Sequence, residues 1–375
     1  MRILHLIQKP QLRGAEIFAC QLAAHLVRRG HQCKVVSLFP GEAVLPFSVD
    51  QPPIATHQRM RWFDLPGWWR LNRLVREFKP DIIQANAADT LKYAVFSRLV
   101  FRWNSIVVFR NANLMSSFLD GWLKRVLNKW TLQLADQIIS VSDGCSGDLV
   151  SKLGVSGTKI STVEIGIELE DQTGSRTLGP VDLGLDNSSP EGPLLVSVAG
   201  FVPEKNHEGL IRIFNQIRKS FPTARLLLVG VGPLMKKIEE QVSDLGLTGT
   251  VIFLGRRTDV LRILGACDAL LMPSFIEGLP GAILEAMYTR CVVVANAVGG
   301  IPDVVTNNVT GILAKAGDEQ DFAEAVFRVI PDTDARQKIT ETAYAMVSTR
   351  FDNRIMAGRF EEIYARHFNE HNSGY

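Results

Sequence analysis

The sequence predicts an α/β protein with two domains, each built on a parallel sheet that helices cover. The chain has 375 residues and a mass of 41.6 kDa, which exceeds one ordinary core and suits two domains of about 150–200 residues each. Short β-branched runs alternate with longer amphipathic segments along the chain, which is the pattern of βαβ units. A stretch rich in Gly, Pro, Ser and acidic residues, 166–193, lacks a sustained period and separates two halves.

The individual elements follow from the same patterns. In the first half, strands are predicted at 3–7, 33–38, 82–84, 106–109 and 138–141, with helices between them, for example at 15–29, 71–78 and 119–134. In the second half, strands are predicted at 194–199, 225–229, 251–254, 269–272, 292–295 and 311–314. The predicted domains are 1–170 and 193–350, joined by a linker at 171–192. Ligands of such sheets bind where strands end and helices begin, so we expect the functional groups in those loops.

Composition excludes several classes of protein. With 46% hydrophobic and 21% charged residues, the chain is neither disordered nor collagen-like. Its five cysteines form no C-x-x-C pair, which indicates neither a disulfide framework nor a zinc site and favours a reducing, cytoplasmic location. The opening apolar run ends at Lys9 and Pro10 and is interpreted as a first strand rather than a signal peptide. No apolar run approaches the roughly 18 residues of a membrane span.

Basic charge and tryptophan are concentrated in one region. The net charge is only +2, yet residues 57–130 contain 13 basic and five acidic residues, a local +8, and all six tryptophans. Such a mixture is typical of contact with an anionic membrane surface or a nucleic acid. We expect an anionic membrane, with no role for nucleic acid; a half-buried helical face with solvated arginines would have the same composition. Two patches are predicted: Trp62, Phe63, Trp68 and Trp69 with Arg59, Arg61 and Arg70, and a helix at 118–130 with Lys124, Arg125 and Lys129.

The segment 272–305 carries the densest chemical signal. A strand ends at Met272, and after a loop a helix begins near Gly281. The first amides of that helix, from Gly281, Ala282 and Ile283, are expected to be unpaired and to offer a diphosphate site. Glu277 lies in the loop, and Glu285 follows eight residues later inside the helix, so one ligand could contact both. Taken singly, either glutamate would more simply be a solvated surface acid.

This segment as a whole resembles the donor site of the retaining glycosyltransferases of family 4, which have the GT-B fold of two Rossmann-like domains facing each other across a cleft. The matching residues are Pro273, Ser274, Glu277, Gly278, Pro280, Glu285, Ala286, Met287, Gly299, Gly300 and Pro302. The resemblance implies that the loop and the helix start bind the donor through Gly278, Leu279, Pro280, Gly281, Ala282 and Ile283. It also implies that Glu285 holds the ribose and that Glu277 and Lys205 are catalytic.

Two further segments resemble the family but depart from its pattern. Arg13 to Glu16 resembles a Gly-Gly-x-Glu loop in which Gly14 lets the backbone approach the donor, with Arg13 replacing the first glycine. The segment VAGFVPEKN, 198–206, resembles Gly-Arg-x-x-x-x-Lys-Gly/Asn and retains Lys205 and Asn206. Phe201 is taken to stand where the arginine is expected, so that one phosphate contact is missing or is supplied from elsewhere, for example by Arg13.

Smaller matches complete the predicted site. Gly230 begins a Gly-x-Gly-Pro turn, and Gly255 with Arg256 resembles the loop whose backbone meets the nucleobase. Many family members have a histidine near the donor sugar after the fourth strand, where this chain has Arg110 and Asn113. These two residues could bind a hydroxyl or a phosphate on the acceptor side, or they could be ordinary turn residues.

The resemblance implies a retaining, metal-independent glycosyltransferase that uses no cofactor. The expected donor is a nucleotide sugar, UDP-linked on family frequency, and no Asp-x-Asp triad occurs near the site. The expected acceptor is a saccharide or lipid-linked saccharide in cell-surface polysaccharide assembly, at the inner face of the membrane. A helix at about 352–370 resembles the one that crosses back onto the first domain in this fold.

Two alternatives stay open at this point. A UDP-sugar 2-epimerase shares the two-domain fold but would not be expected to carry the segment that contains Glu277 and Glu285. The second alternative is a catalytically silent protein that binds nucleotide sugars, to which the missing histidine and the missing arginine lend some support. Activity on a panel of nucleotide sugars would separate these classes.

Overall fold

The computed structural model of the protein describes residues 1–50, 52–55, 62–119, 121–169, 178–185 and 192–373. The chain divides into two compact units: unit 1 comprises Met1–Gly166 and Asn353–Tyr375, and unit 2 comprises Ile167–Asp352. Much of the predicted linker, 171–177 and 186–191, lies outside the described residues. Within it, Pro180–Leu183 forms a short 3-10 helix.

Unit 1 is a seven-stranded parallel sheet with helices between its strands. Its strands are β1 Arg2–Ile7, β2 Gln32–Ser37, β3 Val49–Asp50, β4 Ile82–Ala85, β5 Ile106–Asn111, β6 Gln137–Ser140 and β7 Ile160–Thr162. Its first helices are α1 Gly14–Arg28, α2 Leu65–Phe78, α3 Ala88–Phe101, α4 Trp122–Gln133 and α5 Asp143–Leu153. The strand order is β3-β2-β1-β4-β5-β6-β7. The five predicted strands are confirmed, whereas β3 and β7 were missed because two or three residues carry no readable period.

The start of α2 shows why a helix boundary can differ from its apolar pattern. Periodicity predicted a beginning at residue 71, whereas the helix begins at Leu65. The Asp64 side chain accepts a hydrogen bond from the Gly67 amide at 2.9 Å, and a proline stands in the first turn. A side-chain cap and an early proline both favour a helix start. Local capping therefore adds a first turn that the apolar period does not reveal.

Unit 2 has the same architecture with six parallel strands. They are β8 Leu194–Val198, β9 Arg225–Val229, β10 Val251–Gly255, β11 Ala269–Met272, β12 Val292–Asn296 and β13 Ile312–Ala314. Its helices are α6 His207–Ser220, α7 Met235–Asp244, α8 Val260–Gly265, α9 Gly281–Tyr288, α10 Ile301–Val304, α11 Glu319–Val329 and α12 Thr333–Arg350. The strand order is β10-β9-β8-β11-β12-β13. All six strands predicted from sequence are confirmed.

The strand order of each unit fixes where a ligand can bind. Chain order reverses between β1 and β4 in unit 1 and between β8 and β11 in unit 2. At such a switch point the loops after the two central strands run in opposite directions and leave a crevice at the carboxyl edge of the sheet. The loops that follow β8 and β11 are those that carry Lys205 and Glu277.

The final helix, α13 Asn353–Ser373, belongs to unit 1 although it follows unit 2 in sequence. The Phe360 ring lies 5.7 Å from the Phe18 ring of α1, between ring centroids. Glu361 accepts from the His31 ring at 2.8 Å, and the Tyr364 hydroxyl donates to the Gln84 side chain of β4. Apolar and polar contacts together therefore fasten this helix to the sheet of unit 1. No helix within the described ranges is long and apolar enough to cross a membrane.

Removing the Phe360 ring should destabilise unit 1. The side chain is fully buried, so we expect Phe360→Ala to cost about 3–5 kcal/mol of unfolding free energy. Urea unfolding, with hydrogen exchange of α1 amides as the local probe, measures this. The control Glu362→Ala changes an exposed position of the same helix. Equal stability of the two variants would show that α13 contributes no core to unit 1.

Candidate active site

An ion pair joins the two loops at the switch point of unit 2. The Lys205 Nζ lies 2.7 Å from each carboxylate oxygen of Glu277. The Glu277 side chain is only 4% exposed and that of Lys205 is 24% exposed. A carboxylate at this depth needs a partner because desolvation penalises an unpaired charge. The structure therefore brings together the two residues that the resemblance implied to be catalytic.

Asn206 connects the same two loops through its side chain. Its backbone is left-handed, with φ of 52°, and its Oδ1 accepts from the Gly209 amide at 3.1 Å, which caps α6. Its Nδ2 donates to the Pro273 carbonyl at 3.0 Å. The Phe275 amide also donates to the Glu204 carbonyl at 2.9 Å. The Lys205 side chain is thus positioned by a short segment that is fixed on both sides.

The glycine pair Gly299–Gly300 packs against the backbone of the loop that carries Glu277. Gly299 has φ of 57°, and a Cβ there would lie 1.8 Å from the Glu277 carbonyl oxygen, so no other side chain fits. The Gly300 amide donates to the Gly278 carbonyl at 2.7 Å. Asn296, at the end of β12, donates to the Ser274 carbonyl at 3.1 Å. The loop that carries Glu277 and the glycine pair Gly299–Gly300 are therefore in direct backbone contact.

The first turn of α9 leaves backbone donors free beside this pair. Pro280 is the N-cap residue, and no side chain caps the helix. Within the described residues, the amides of Gly281 and Ala282 have no acceptor, whereas the Ile283 amide donates to the Pro280 carbonyl at 3.2 Å. The prediction that the Ile283 amide is free is therefore wrong, because the first turn tightens onto Pro280. Two amides and the positive end of the helix dipole remain available to an anion.

Glu285 lies one turn further into α9 and is partly buried. Burial raises the pKa of its carboxyl group to about 7. No ion pair to Glu285 occurs in the part of the chain that the structure describes. A half-buried acid without a cation is a costly arrangement, and such groups are often found where a ligand binds.

Phe201 does not occupy a phosphate-binding position. Its side chain is fully buried in the core of unit 2 and stacks on the His207 ring at 4.1 Å between centroids. The assignment of the expected arginine position to Phe201 is therefore wrong, because this side chain faces the core. Four residues separate the arginine from the lysine in the family pattern, which places the position at Gly200, and Gly200 is exposed. Counting back from Lys205 would have found it.

Gly230 and Gly255 lie at the same sheet edge. Gly230 has φ of 141°, and a Cβ there would lie 2.0 Å from the Ala199 carbonyl oxygen. The Gly230 amide donates to the Gly255 carbonyl at 2.8 Å, which joins the ends of β9 and β10. Arg256 follows and is exposed. These residues therefore share the carboxyl edge of the sheet with Lys205 and α9.

The candidates in unit 1 differ strongly in exposure. Arg13 and Gly14 follow β1 and are exposed, and a Cβ on Gly14 would meet nothing within 4 Å. Asn113 is exposed in the loop after β5. Arg110 is instead part of β5 and is only 3% exposed. Sequence reasoning missed this burial because a strand-end residue is expected at the surface. No group of three His, Cys, Asp or Glu side chains suited to a metal occurs among the described residues of either unit.

Each half of the chain matches a family model of glycosyltransferases. The family model for glycosyltransferase family 4 matches residues 12–171, and the model for glycosyl transferases group 1 matches residues 186–346. The N-acetyl-alpha-D-glucosaminyl L-malate synthase of Bacillus anthracis is 29% identical over 46% of this chain and 45% of its own length. The chain thus spans less than half the length of that relative in the alignment. The lipopolysaccharide core biosynthesis glycosyltransferase LpsD of Rhizobium meliloti is 24% identical over 80% of this chain and 79% of its own.

The fold is also found among solved structures. HepE from Anabaena, in complex with UDP and glucose, superposes with a TM-score of 0.81 over 98% of this chain and 100% of its own, at 22% identity. The two parallel α/β units are those of the GT-B fold. With both halves matched by glycosyltransferase models, the chain belongs to the family 4 glycosyltransferases.

Glu285 should make the free energy of unfolding of unit 2 depend on pH. Folded Glu285 holds its proton up to about pH 7, whereas glutamates of an unfolded chain titrate near 4.3. The stability of unit 2 should therefore fall as the pH rises from about 4.3 to about 7. Glu285→Gln removes this loss. The melting temperature of this variant minus that of the native chain should therefore increase as the pH is raised from about 5 to about 8. The exposed Glu240→Gln serves as the control; the same pH trend in both variants would contradict the raised pKa.

Proposed function

We propose that this protein is a retaining glycosyltransferase that takes its sugar from a UDP-linked donor. The observation that carries the proposal is the buried Lys205–Glu277 ion pair beside the uncapped start of α9. Together these elements place positive charge, free amides and a carboxylate at one switch point. That combination suits a reaction in which a diphosphate leaves a sugar.

The diphosphate would be neutralised by Lys205 and by the amides of Gly281 and Ala282. These donors are already in place before reaction, and preorganised donors stabilise developing negative charge efficiently. A helix start and a lysine can neutralise this charge without a metal ion, so we infer a metal-independent reaction without a cofactor. Because an exposed glycine stands at position 200, Lys205 would be the main side chain that neutralises the diphosphate within unit 2.

Glu277 would act on the sugar. Its carboxylate accepts from Lys205 in the unbound chain, and a lysine ammonium has three donors, so Lys205 can turn toward phosphate and still hold Glu277. Glu277 would orient the hydroxyls of the donor sugar and stabilise the positive charge of an oxocarbenium-like transition state. The acceptor hydroxyl would then attack the face that the diphosphate leaves, with retention of configuration.

Glu285 would hold the ribose diol of the nucleotide, because an ionised carboxylate can accept from both hydroxyls. Gly230, Gly255 and Arg256 lie at the same edge, where backbone groups can approach the nucleotide. The choice of UDP is supported by HepE, whose solved complexes contain UDP, UDP with glucose, or UDP-glucose.

The proposed acceptor is a saccharide or a lipid-linked saccharide in glycoconjugate assembly. LpsD is named for lipopolysaccharide core biosynthesis, and a Campylobacter jejuni relative, 22% identical over 80% of this chain, is named as acting on a diphospho-undecaprenol. We infer a cytoplasmic protein that binds peripherally to the inner face of the membrane. Support for the membrane part comes from α4 in unit 1.

Helix α4 turns its aromatic side toward solvent. Trp122 is 75% exposed, and Leu123, Val126 and Trp130 are also exposed, whereas the buried residues of the helix include the polar Asn128. The exposed basic residues Lys124, Arg125 and Lys129 interleave with them. We call this surface the α4 face. Exposed apolar residues mixed with basic charge are typical of a helix that lies on an anionic membrane.

The other predicted patch, around Trp62 to Arg70, contains both exposed and buried aromatic residues. Phe63 and Trp69 are exposed, but Trp68 packs in the core of unit 1. Trp62 lies under the Lys92 ammonium, 4.4 Å from Nζ to the ring. Arg59 and Arg61 lie outside the described residues. The membrane proposal therefore depends on the α4 face, to which Phe63 and Trp69 add exposed aromatic surface.

A panel of nucleotide sugars tests the proposed function. A transferase releases nucleotide slowly by hydrolysing its own donor and does so faster when an acceptor is present. A 2-epimerase changes the sugar without an acceptor, and a silent binding protein leaves every donor intact. Release of UDP from one sugar with retained configuration supports the proposal, and either of the other two results contradicts it.

Variants of the ion pair should separate binding from turnover. Lys205→Ala removes a charge-assisted phosphate contact and should weaken donor affinity by about 1.5–3 kcal/mol, or roughly ten- to a hundredfold. Glu285→Ala should also weaken donor binding, whereas Glu277→Ala should lower kcat more than affinity. Calorimetry with UDP and steady-state donor hydrolysis measure both quantities.

The matched control is Lys237→Ala. Lys237 also pairs with a glutamate, Glu208, at 2.8 Å, but this pair lies on the surface of unit 2. Its loss should leave UDP affinity and hydrolysis unchanged. Donor affinity and rate that are unchanged in Lys205→Ala, Glu277→Ala and Glu285→Ala alike would overturn the site assignment.

Membrane binding through the α4 face should depend on charge. Each basic residue near an anionic surface contributes about 1 kcal/mol, so the double variant Lys124→Glu/Arg125→Glu should lose binding to anionic vesicles. Co-sedimentation with vesicles of anionic and of neutral lipid, at low and high salt, measures this. The control Lys219→Glu/Lys338→Glu makes the same charge change at exposed positions of unit 2. Equal partitioning onto neutral and anionic vesicles, or onto neither, would contradict the membrane proposal.

A further inference from the structure

A buried polar cluster lies on one face of the unit 1 sheet. Because side chains alternate along a strand and β1, β4 and β5 pair in register, His5, Gln84 and Arg110 point to the same face. Helices α1 and α13 cover this face, with Phe18 and Tyr364 in contact with the cluster. Arg110 is the one charged member on the sheet, at the carboxyl end of β5.

Arg110 lacks the partners that a buried guanidinium normally has. Its Nε and Nη1 atoms are buried and donate to no acceptor in the described part of the chain. The guanidinium lies over the Phe18 ring, 4.2 Å from its centroid, and a cation–π contact offsets only part of the cost of desolvation. Burial lowers the pKa of Arg110 to about 10, so the group is still charged at neutral pH.

The carboxylate whose charge acts on Arg110 is hydrogen-bonded to another residue. Glu16, in the first turn of α1, accepts from the Gln11 amide at 2.8 Å. It forms no ion pair with Arg110 within the described residues, although its charge acts on Arg110 at longer range. Glu16 thus leaves the guanidinium donors of Arg110 free for another acceptor.

The start of α1 adds further free donors at this edge of the sheet. No side chain caps α1, and the amides of Gly14 and Ala15 have no acceptor among the described residues. A helix start alone does not define a site. Here the helix start is combined with a charged, buried arginine whose guanidinium lies over Phe18, one turn further along α1, and both features favour negative charge.

We propose that Arg110 forms an anion subsite in unit 1, which takes a carboxylate or phosphate group carried by one of the two sugar substrates. The inference rests on the proposed glycosyltransferase function and narrows its substrate class to one with a charged sugar. The fork of a guanidinium matches either anion in two parallel hydrogen bonds. A charged substrate would supply the hydrogen-bond acceptors for the Arg110 guanidinium.

Arg110 should contribute nothing to the stability of the protein in the absence of a substrate. An unpaired buried charge destabilises a fold, and binding sites often retain such groups at the expense of stability. Arg110→Met should therefore leave the melting temperature unchanged or raise it. A structural arginine would behave in the opposite way, because its loss would leave a hole and broken hydrogen bonds.

The test compares charged and neutral sugars in two arms. The donor arm measures kcat/KM for UDP-glucuronate against UDP-glucose and for UDP-galacturonate against UDP-galactose. The acceptor arm measures binding of methyl glucuronoside and glucose 6-phosphate against methyl glucoside by the UDP-loaded protein. Each measurement uses the native chain, Arg110→Met, Arg110→Lys and the control Arg28→Gln, an exposed arginine at the far end of α1.

The native chain and the control should prefer the charged member in one arm by about tenfold or more. Arg110→Met should abolish the preference, Arg110→Lys should retain part of it, and UDP affinity should be the same in all four proteins. The arm that shows the preference identifies the donor or the acceptor as the charged substrate.

Three results would overturn the subsite. They are no preference in either arm, a preference that Arg110→Met preserves, and melting temperatures that fall in both Arg110→Met and Arg110→Lys. In each case intact UDP binding would leave the proposed function standing. Failure of the native chain to bind UDP would overturn the proposed function and this inference with it.

Discussion

The Lys205–Glu277 ion pair is the constraint on which the arrangement of unit 2 depends. A carboxylate that is 4% exposed is tolerated because the lysine reaches both of its oxygens. Those two residues lie in different loops, so the pair exists only where the strand order brings the ends of β8 and β11 side by side. Asn206 and Gly299 hold the two loops in the required positions. A parallel sheet with a switch point therefore brings the two loops together, and the ion pair joins them.

Glu285 and Arg110 are two ionisable side chains without an ion pair among the described residues. Glu285 has no cation, and Arg110 lacks acceptors for two of its guanidinium nitrogens among the described residues. Replacing either residue by a neutral side chain would increase the free energy of unfolding. Arg110 lies near the carboxyl end of β5, and Glu285 lies in the helix that follows β11; substrates of this class of fold bind at the carboxyl edge of a sheet. In our proposals, a ligand supplies the hydrogen-bond partners of Glu285 and the counter-charge of Arg110.

For the α4 face, composition shows which residue types are concentrated in the region, and the tertiary structure shows which of them are exposed. The sequence placed tryptophan and basic charge in one region, but packed and exposed tryptophans give the same composition. The structure divides them, with Trp68 in the core and Trp122 exposed, and it turns the polar Asn128 inward. The helix buries Asn128, Thr131 and Leu132, and it leaves the apolar side chains of Trp122, Leu123 and Val126 largely exposed. That asymmetry supports a membrane surface as the partner of unit 1.

The sequence by itself determined the alternation of strands and helices and the spacing of Lys205, Glu277 and Glu285. Strands buried on both faces appear as short apolar runs, and the family motif fixes the loop residues by spacing. The tertiary structure alone decided that Phe201 is a core residue, that the Ile283 amide is already bonded, and that Arg110 is buried without acceptors. Burial and hydrogen-bond partners depend on contacts between segments that are distant in sequence. No local pattern records those contacts, so they could be learned only from the folded chain.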